Sequence, residues 1–181
     1  MALALSPTRQ ETLTNATFEA LLWSLSRPGE IRNLPVAGIE MVAESLCDRE
    51  VSLFCFDEAL AARLKRTGVR PAPLEEADYV LADGGIGAAR AARLAVVNPG
   101  TMIYPEASAT VIAGGRIGQG TTLRLSGPGI AGATTIAVGD IDPAFWAVRN
   151  EACRYPLGWD VFVVDGDRVV GLPRSTKLEV L

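Results

Sequence analysis

Apolar positions recur at helical spacing near the start of the chain. Phe18, Leu21, Leu22 and Leu25 fall at i, i+3, i+4 and i+7, which predicts a helix that buries this face, capped by Thr14 or Asn15 and stopped by Pro28-Gly29. Ile39, Val42, Ala43 and Leu46 repeat the spacing and predict a second helix ending near Asp48. The continuous run 51–56 has the pattern of a buried strand, and Asp57 then caps a helix carried by Ala59, Leu60 and Leu64 to Gly68. Residues 79–82 predict a further strand. The glycine stretch Asp83-Gly84-Gly85-Ile86-Gly87 follows, then a helix over 88–94 with Asp83 as its cap.

The second half is richer in strands, at 109–113, 121–125 and 134–138. Asp142-Pro143 opens a helix, because proline is tolerated at the first helical position and aspartate caps it; Phe145, Val148 and Ala152 form its inner face, and Tyr155-Pro156-Leu157-Gly158 stops it. Asp165-Gly166, between the apolar runs 161–164 and 169–172, signals a hairpin. Arg70-Pro71-Ala72-Pro73 and Asn98-Pro99-Gly100 have loop rather than linker composition, and no repeat is present. The pattern is that of an α/β fold, a mixed β-sheet flanked by helices, with residues 1–181 as a single domain.

Composition narrows the chemistry. With 181 residues and 49% hydrophobic content the chain can bury one sizeable core. Its 17 basic and 21 acidic residues are interspersed, so the net charge of −4 builds no field that would select nucleic acid or an anionic membrane. Residues 1–7 lack the basic start and long apolar run of a signal peptide, and no stretch approaches the ~20 apolar residues of a membrane span, so a soluble protein is expected. Histidine is absent, which removes imidazole as proton shuttle, as partner of a serine or cysteine nucleophile, and as metal ligand. Cys47, Cys55 and Cys153 have no metal-ligand spacing and suggest reduced, buried thiols in a cytoplasmic protein. No metal is expected, and Glu75-Glu76-Asp78 is taken as a solvated face.

The stretch Leu125-Ser126-Gly127-Pro128-Gly129-Ile130-Ala131-Gly132 contains a G-x-G-x-x-G pattern. A dinucleotide cradle needs free backbone N–H groups where the loop opens a helix. Pro128 removes one donor and the β-branched run after Gly132 predicts a strand, so a turn between two strands is expected. The Asp83–Gly87 stretch can be an anion-binding helix start or an ordinary turn. Lys177 can be a surface lysine or a Schiff-base lysine of a self-sufficient pyridoxal-phosphate enzyme, which would require a desolvated amine beside a phosphate anchor such as Arg174 or Ser175; its place near the chain end favours solvation and fraying. Fifteen arginines against Lys65 and Lys177 suit carboxylate or phosphate contacts, although the codon bias of a GC-rich genome gives the same skew. The densest polar constellation, Arg154-Tyr155-Pro156-Leu157-Gly158-Trp159-Asp160 with Arg174, leaves two readings open. It is a structural Arg154–Asp160 pair, or an anion or partner site anchored by Trp159.

Five segments in order carry a family resemblance: Leu25-Ser26-Arg27-Pro28-Gly29-Glu30-Ile31; Gly100-Thr101 with Pro105-Glu106-Ala107; Leu123-Arg124-Leu125-Ser126-Gly127-Pro128-Gly129-Ile130; Tyr155-Pro156-Leu157-Gly158-Trp159-Asp160; and Leu172-Pro173-Arg174-Ser175-Thr176. Together, from about Thr17 to Val180, they resemble the H subunit of the bacterial carbon–phosphorus lyase system (PhnH). The resemblance implies a fold similar to the large domain of pyridoxal-phosphate-dependent transferases, without the cofactor. It implies assembly with the G, I and J subunits, and an accessory part in displacing adenine from ATP by methylphosphonate to form ribose 1-methylphosphonate 5-triphosphate. The family supplies no catalytic residue to carry over. Arg124, Gly127, Gly129, Arg154, Asp160 and Arg174 are therefore the candidates for docking, or for binding ATP or a phosphonate, which in the alternative reading of a nucleotide- or phosphonate-binding sensor is the chain's whole function. A homodimer is expected for the isolated chain.

Overall fold

The computed structural model describes residues 6–181; residues 1–5, part of the stretch read above for a leader, lie outside it. The first helix, α1, spans Arg9–Ser26. Its cap, Thr8, lies six or seven residues before the expected ones, because Thr8 and Glu11 form a reciprocal capping box in which Thr8 Oγ1 accepts from Glu11 N at 3.2 Å and Glu11 Oε2 accepts from Thr8 N at 2.6 Å. Its buried face is also rotated from the expected one. Thr17, Ala20, Leu21 and Ser24 point inward, while Phe18 and Leu22 are exposed. Small residues face inward because α1 passes directly over Gly171, where a Cβ would stand 2.7 Å from Leu25 N and Ser24 Oγ. The inward hydroxyls are satisfied within the helix, Thr17 donating to Leu13 O and Ser24 to Leu21 O.

After α1 come β1 (Arg32–Asn33), α2 (Ile39–Leu46), β2 (Ser52–Cys55), α3 (Glu58–Leu64) and β3 (Arg70–Pro71). Asp57 caps α3 as expected, accepting from Leu60 N at 2.6 Å. Arg70-Pro71, expected as loop, forms a two-residue strand at the sheet edge, where a proline N needs no ladder partner. Then follow β4 (Tyr79–Ala82), α4 (Ala88–Arg93), β5 (Thr110–Gly114), β6 (Arg116–Ser126), β7 (Ala133–Gly139), α5 (Pro143–Ala152), β8 (Asp160–Asp165), β9 (Arg168–Leu172) and β10 (Lys177–Val180).

Seven of these strands form a mixed sheet in the order β1-β9-β8-β5-β4-β2-β3, with β2, β3, β4, β5 and β8 parallel and β9 antiparallel to both its neighbours. The other three form an antiparallel sheet, β10-β6-β7. The α/β, mixed-sheet expectation is thus met. The central strands are buried on both faces, which is why they read as continuous apolar runs. Leu81, Ile112 and Phe162 enter one core under α1, α2 and α3; the alternate residues Val80, Val111 and Val161 enter the other, with α4, α5 and Leu123, Leu125 and Leu178 of the small sheet.

Three local expectations are corrected. Asp83 does not cap α4: the cap position is Gly87, without a side-chain bond, and Asp83 Oδ1 accepts instead from Gly84 N at 2.9 Å. In the last hairpin Asp165 pairs with Arg168, so the two-residue loop is Gly166-Asp167, one position later than expected. On α5 the fully buried residues are Phe145, Trp146 and Arg149, with Val148 and Ala152 only half-buried against the core. A polar arginine on the inner face broke the pattern that apolar spacing can detect.

Candidate functional site

The glycine turn is a backbone-packing device. Gly127 and Gly129 lie between β6 and β7 as expected, at φ +130° and +83°. A Cβ on Gly127 would stand 3.0 Å from Ser175 O, and one on Gly129 2.4 Å from Ser26 O. The turn is therefore clamped between the end of α1 and the segment leading into β10, and no helix follows it to hold a phosphate. The glycines after β4 serve a similar end. A Cβ on Gly85 would meet Asp140 O at 2.3 Å, and Arg90, lying over the Phe56 ring, donates to the carbonyls of Asp83 and Gly85 at 2.7 and 2.9 Å.

The Arg154 corner follows neither open reading as stated. No ion pair joins Arg154 to Asp160; Arg154 is exposed, and Asp160 Oδ1 accepts from Arg174 N at 2.7 Å. Trp159 is fully buried against Phe145, ring centroids 5.7 Å apart, so it anchors the core and not a partner. Arg174 reaches across to the loop after α4, its Nη1 donating to Pro105 O at 2.6 Å and to Ser108 Oγ. Gly158 N donates to Pro99 O at 2.8 Å, tying the same two segments together. The loop so held displays Met102, Ile103 and Tyr104 at 70, 78 and 62% exposure, and Tyr155 on the other segment is 78% exposed. Exposed aromatic and aliphatic residues on a loop held from behind are suited to contact with another surface. Sequence reading missed them because three apolar residues in a Gly/Pro loop have no period.

Beneath this corner a hollow opens between the end of α5 and the segment before β10, lined by Arg149, Asn150, Cys153, Tyr155, Arg174, Ser175, Thr176, Lys177 and Leu178. Of the six candidates, only Arg174 lines it. Arg124 lies on the exposed face of the small sheet, 3.9 Å from Glu179. Arg149, which sequence reading did not single out, forms the hollow's floor. It is wholly buried, its Nη1 donating to Thr176 O at 3.2 Å and Nη2 to Pro173 O at 2.8 Å. Burial pulls its guanidinium below the ordinary arginine range, an effect opposed by the nearby Cys153 and Asp160.

Lys177 is not frayed; it pairs with Ser126 at the start of β10. Its side chain is exposed, whereas a Schiff-base amine must be desolvated. Two thiols are also poor nucleophiles: burial pushes Cys47 up to about 12 and raises Cys55. Asp78 is better integrated than a solvated face implies, accepting from both N and Oγ of Ser52 at 2.7 Å. Among the described residues no three acidic or cysteine side chains converge as a metal site, and no helix is long and apolar enough to cross a membrane.

Residues 8–179 match the family model described as bacterial phosphonate metabolism protein (PhnH). The chain belongs to the PhnH family. It is also 37% identical, over 182 residues covering 95% of this chain and 87% of the relative, to a protein of Stutzerimonas stutzeri that carries the name C-P lyase subunit protein HtxG. The match takes in the capping box at Thr8, the glycine turn, the pinned loop and the hollow. In this PhnH-family chain the two features that fit interaction chemistry are thus the apolar loop held by Arg174 and the cation-lined hollow beside it.

Proposed function

We propose that this chain is an accessory subunit of a carbon–phosphorus lyase assembly, whose surface at Met102, Ile103, Tyr104 and Tyr155 is covered by another subunit. The relationship to HtxG carries this reading; the exposure of four large apolar side chains on segments that are otherwise fixed by Arg174 and Gly158 supports it. Loops that are unpartnered and loose expose apolar groups incidentally, but a loop held from behind presents them in one arrangement, which lowers the cost of docking.

In this reading the partners are the G, I and J subunits, and the reaction served is attack of a methylphosphonate oxygen on the ribose C1′ of ATP. A C–O bond forms, the C–N bond to adenine breaks, and ribose 1-methylphosphonate 5-triphosphate is the product. The chain contributes shape and binding, since it has no imidazole and its best-placed cations are structural or solvent-facing. The order β1-β9-β8-β5-β4-β2-β3 with one antiparallel strand supports likeness to the large domain of pyridoxal-phosphate-dependent transferases, and the exposure of Lys177 supports a chain that works without that cofactor. A single domain, a homodimer when isolated, and a cytoplasmic location complete the proposal.

The test is genetic. Deleting the gene from its native host should abolish growth on methylphosphonate as sole phosphorus source while leaving growth on phosphate intact, with recovery on supplying the gene in trans. Undiminished growth on methylphosphonate would refute the assignment.

A further inference from the structure

We infer that the hollow between α5 and β10 is a binding site for a tetrahedral phosphorus oxyanion, with Arg149 as its buried counter-charge and Lys177 and Ser175 as the groups that contact the ligand. Subunit assembly is not required for this site, which is complete within one chain.

The charge distribution is the first observation. The lining holds three cations, Arg149, Arg174 and Lys177, and no aspartate or glutamate, in a chain whose net charge is −4. The second is the state of Arg149. A buried guanidinium normally faces a carboxylate, because desolvating a charge is costly unless an opposite charge accompanies it. Among the described residues no carboxylate oxygen lies within 4.0 Å of Arg149; it has two backbone carbonyls and an Nε without a partner. Asp160, the acidic group it senses, has Oδ1 engaged by the backbone N–H of Arg174. The third is Thr176, whose Oγ1 is a second buried polar atom in the lining without a partner.

These facts select a class of ligand. Both Nη atoms of Arg149 are already directed at carbonyls, so the planar fork that grips a carboxylate in two places is not presented. What remains is positive charge below the surface and, at the rim, an ammonium and a hydroxyl free to surround a compact anion. Lysine of this kind is a point-charge binder of phosphate oxygens. The buried charge acts at low local dielectric, where it is screened less than an exposed one. A phosphonate and the phosphate chain of a nucleoside triphosphate both offer the required group.

Titrating the full-length chain by calorimetry with inorganic phosphate, methylphosphonate and ATP in separate arms, while following the backbone amides of Ser175, Thr176 and Lys177 by NMR, tests the site. At least one ligand should bind and shift those amides, and Lys177→Ala should weaken it by about tenfold with an unchanged melting temperature. The tightest arm identifies the source of the group. Arg149→Met should have a larger effect; if that variant does not fold, Lys177→Ala and Ser175→Ala still decide. No binding in any arm, or binding that survives both rim substitutions, overturns the inference.

Discussion

Gly129 and Ser26 touch backbone to backbone: a Cβ on the glycine would stand 2.4 Å from the serine carbonyl oxygen, and 2.9 Å from Cδ of Pro28. The third glycine of the same pattern, Gly132, also has positive φ, at +76°, but faces open space. Gly129→Ala should therefore cost about 2 kcal/mol or more, from backbone strain together with a clash that only movement of α1 relieves, and Gly132→Ala about 1 kcal/mol from strain alone. Urea denaturation of the two variants checks this. Equal losses would show that the turn is not clamped against α1.

Arg174 holds the loop that carries Ile103. Arg174→Ala should lower stability by about 1–3 kcal/mol, because it releases Pro105 O and Ser108 Oγ at once. Hydrogen exchange should rise over residues 100–108 and not in α2 or α3. A uniform rise would place Arg174 among general core supports.

Asp140 follows β7 at a positive φ of 61° and pairs with Arg116, Nε to Oδ2 at 2.8 Å. That hydrogen bond holds its carboxyl below the usual value of 3.8. A carboxyl depressed in the folded state stabilises above its unfolded pKa, and the contribution is lost as pH falls through the folded value. Arg116→Gln should remove this contribution, so the variant lies below wild type at neutral pH, by a small margin because the pair is solvent-exposed, and converges on it as the carboxyl protonates in both. Acid titration of unfolding, wild type against variant, measures it; a stability gap that stays constant as pH falls would contradict it.

The Cys47 thiol, pushed up to about 12 by burial at the end of α2, should resist a thiol-selective disulfide reagent at pH 8 in the native protein and react only on unfolding. Mass spectrometry of the labelled peptide gives the answer. Fast native labelling would require local opening of that helix end.

Much of the fold was legible because its central strands are apolar on both faces and its helix caps at Asp57 and Asp142 are chemically explicit. The α1 face was legible only in part: four apolar residues at helical spacing suggested burial of Phe18 and Leu22, but the close approach to Gly171 sets Ser24 against the sheet, and Thr17, Ala20 and Leu21 share that face while Phe18 and Leu22 are exposed. The capping box at Thr8 and Glu11 is explicit in the sequence but lies ahead of the apolar pattern, which begins at Phe18. For the site, Arg174 and the glycine turn could be singled out by composition, whereas Arg149 is distinguished only by burial without a carboxylate, a property of the tertiary structure. The pinned loop was hidden for the same reason, since exposure of Ile103 becomes unusual only once Arg174 is seen holding it.

The subunit reading meets its most direct test in native mass spectrometry of this chain co-expressed with the other carbon–phosphorus lyase subunits of its host. The wild-type chain should appear in a stoichiometric complex with them, and Ile103→Asp should dissociate from it while keeping the wild-type melting temperature. A wild-type chain found only apart from the other subunits would contradict the account.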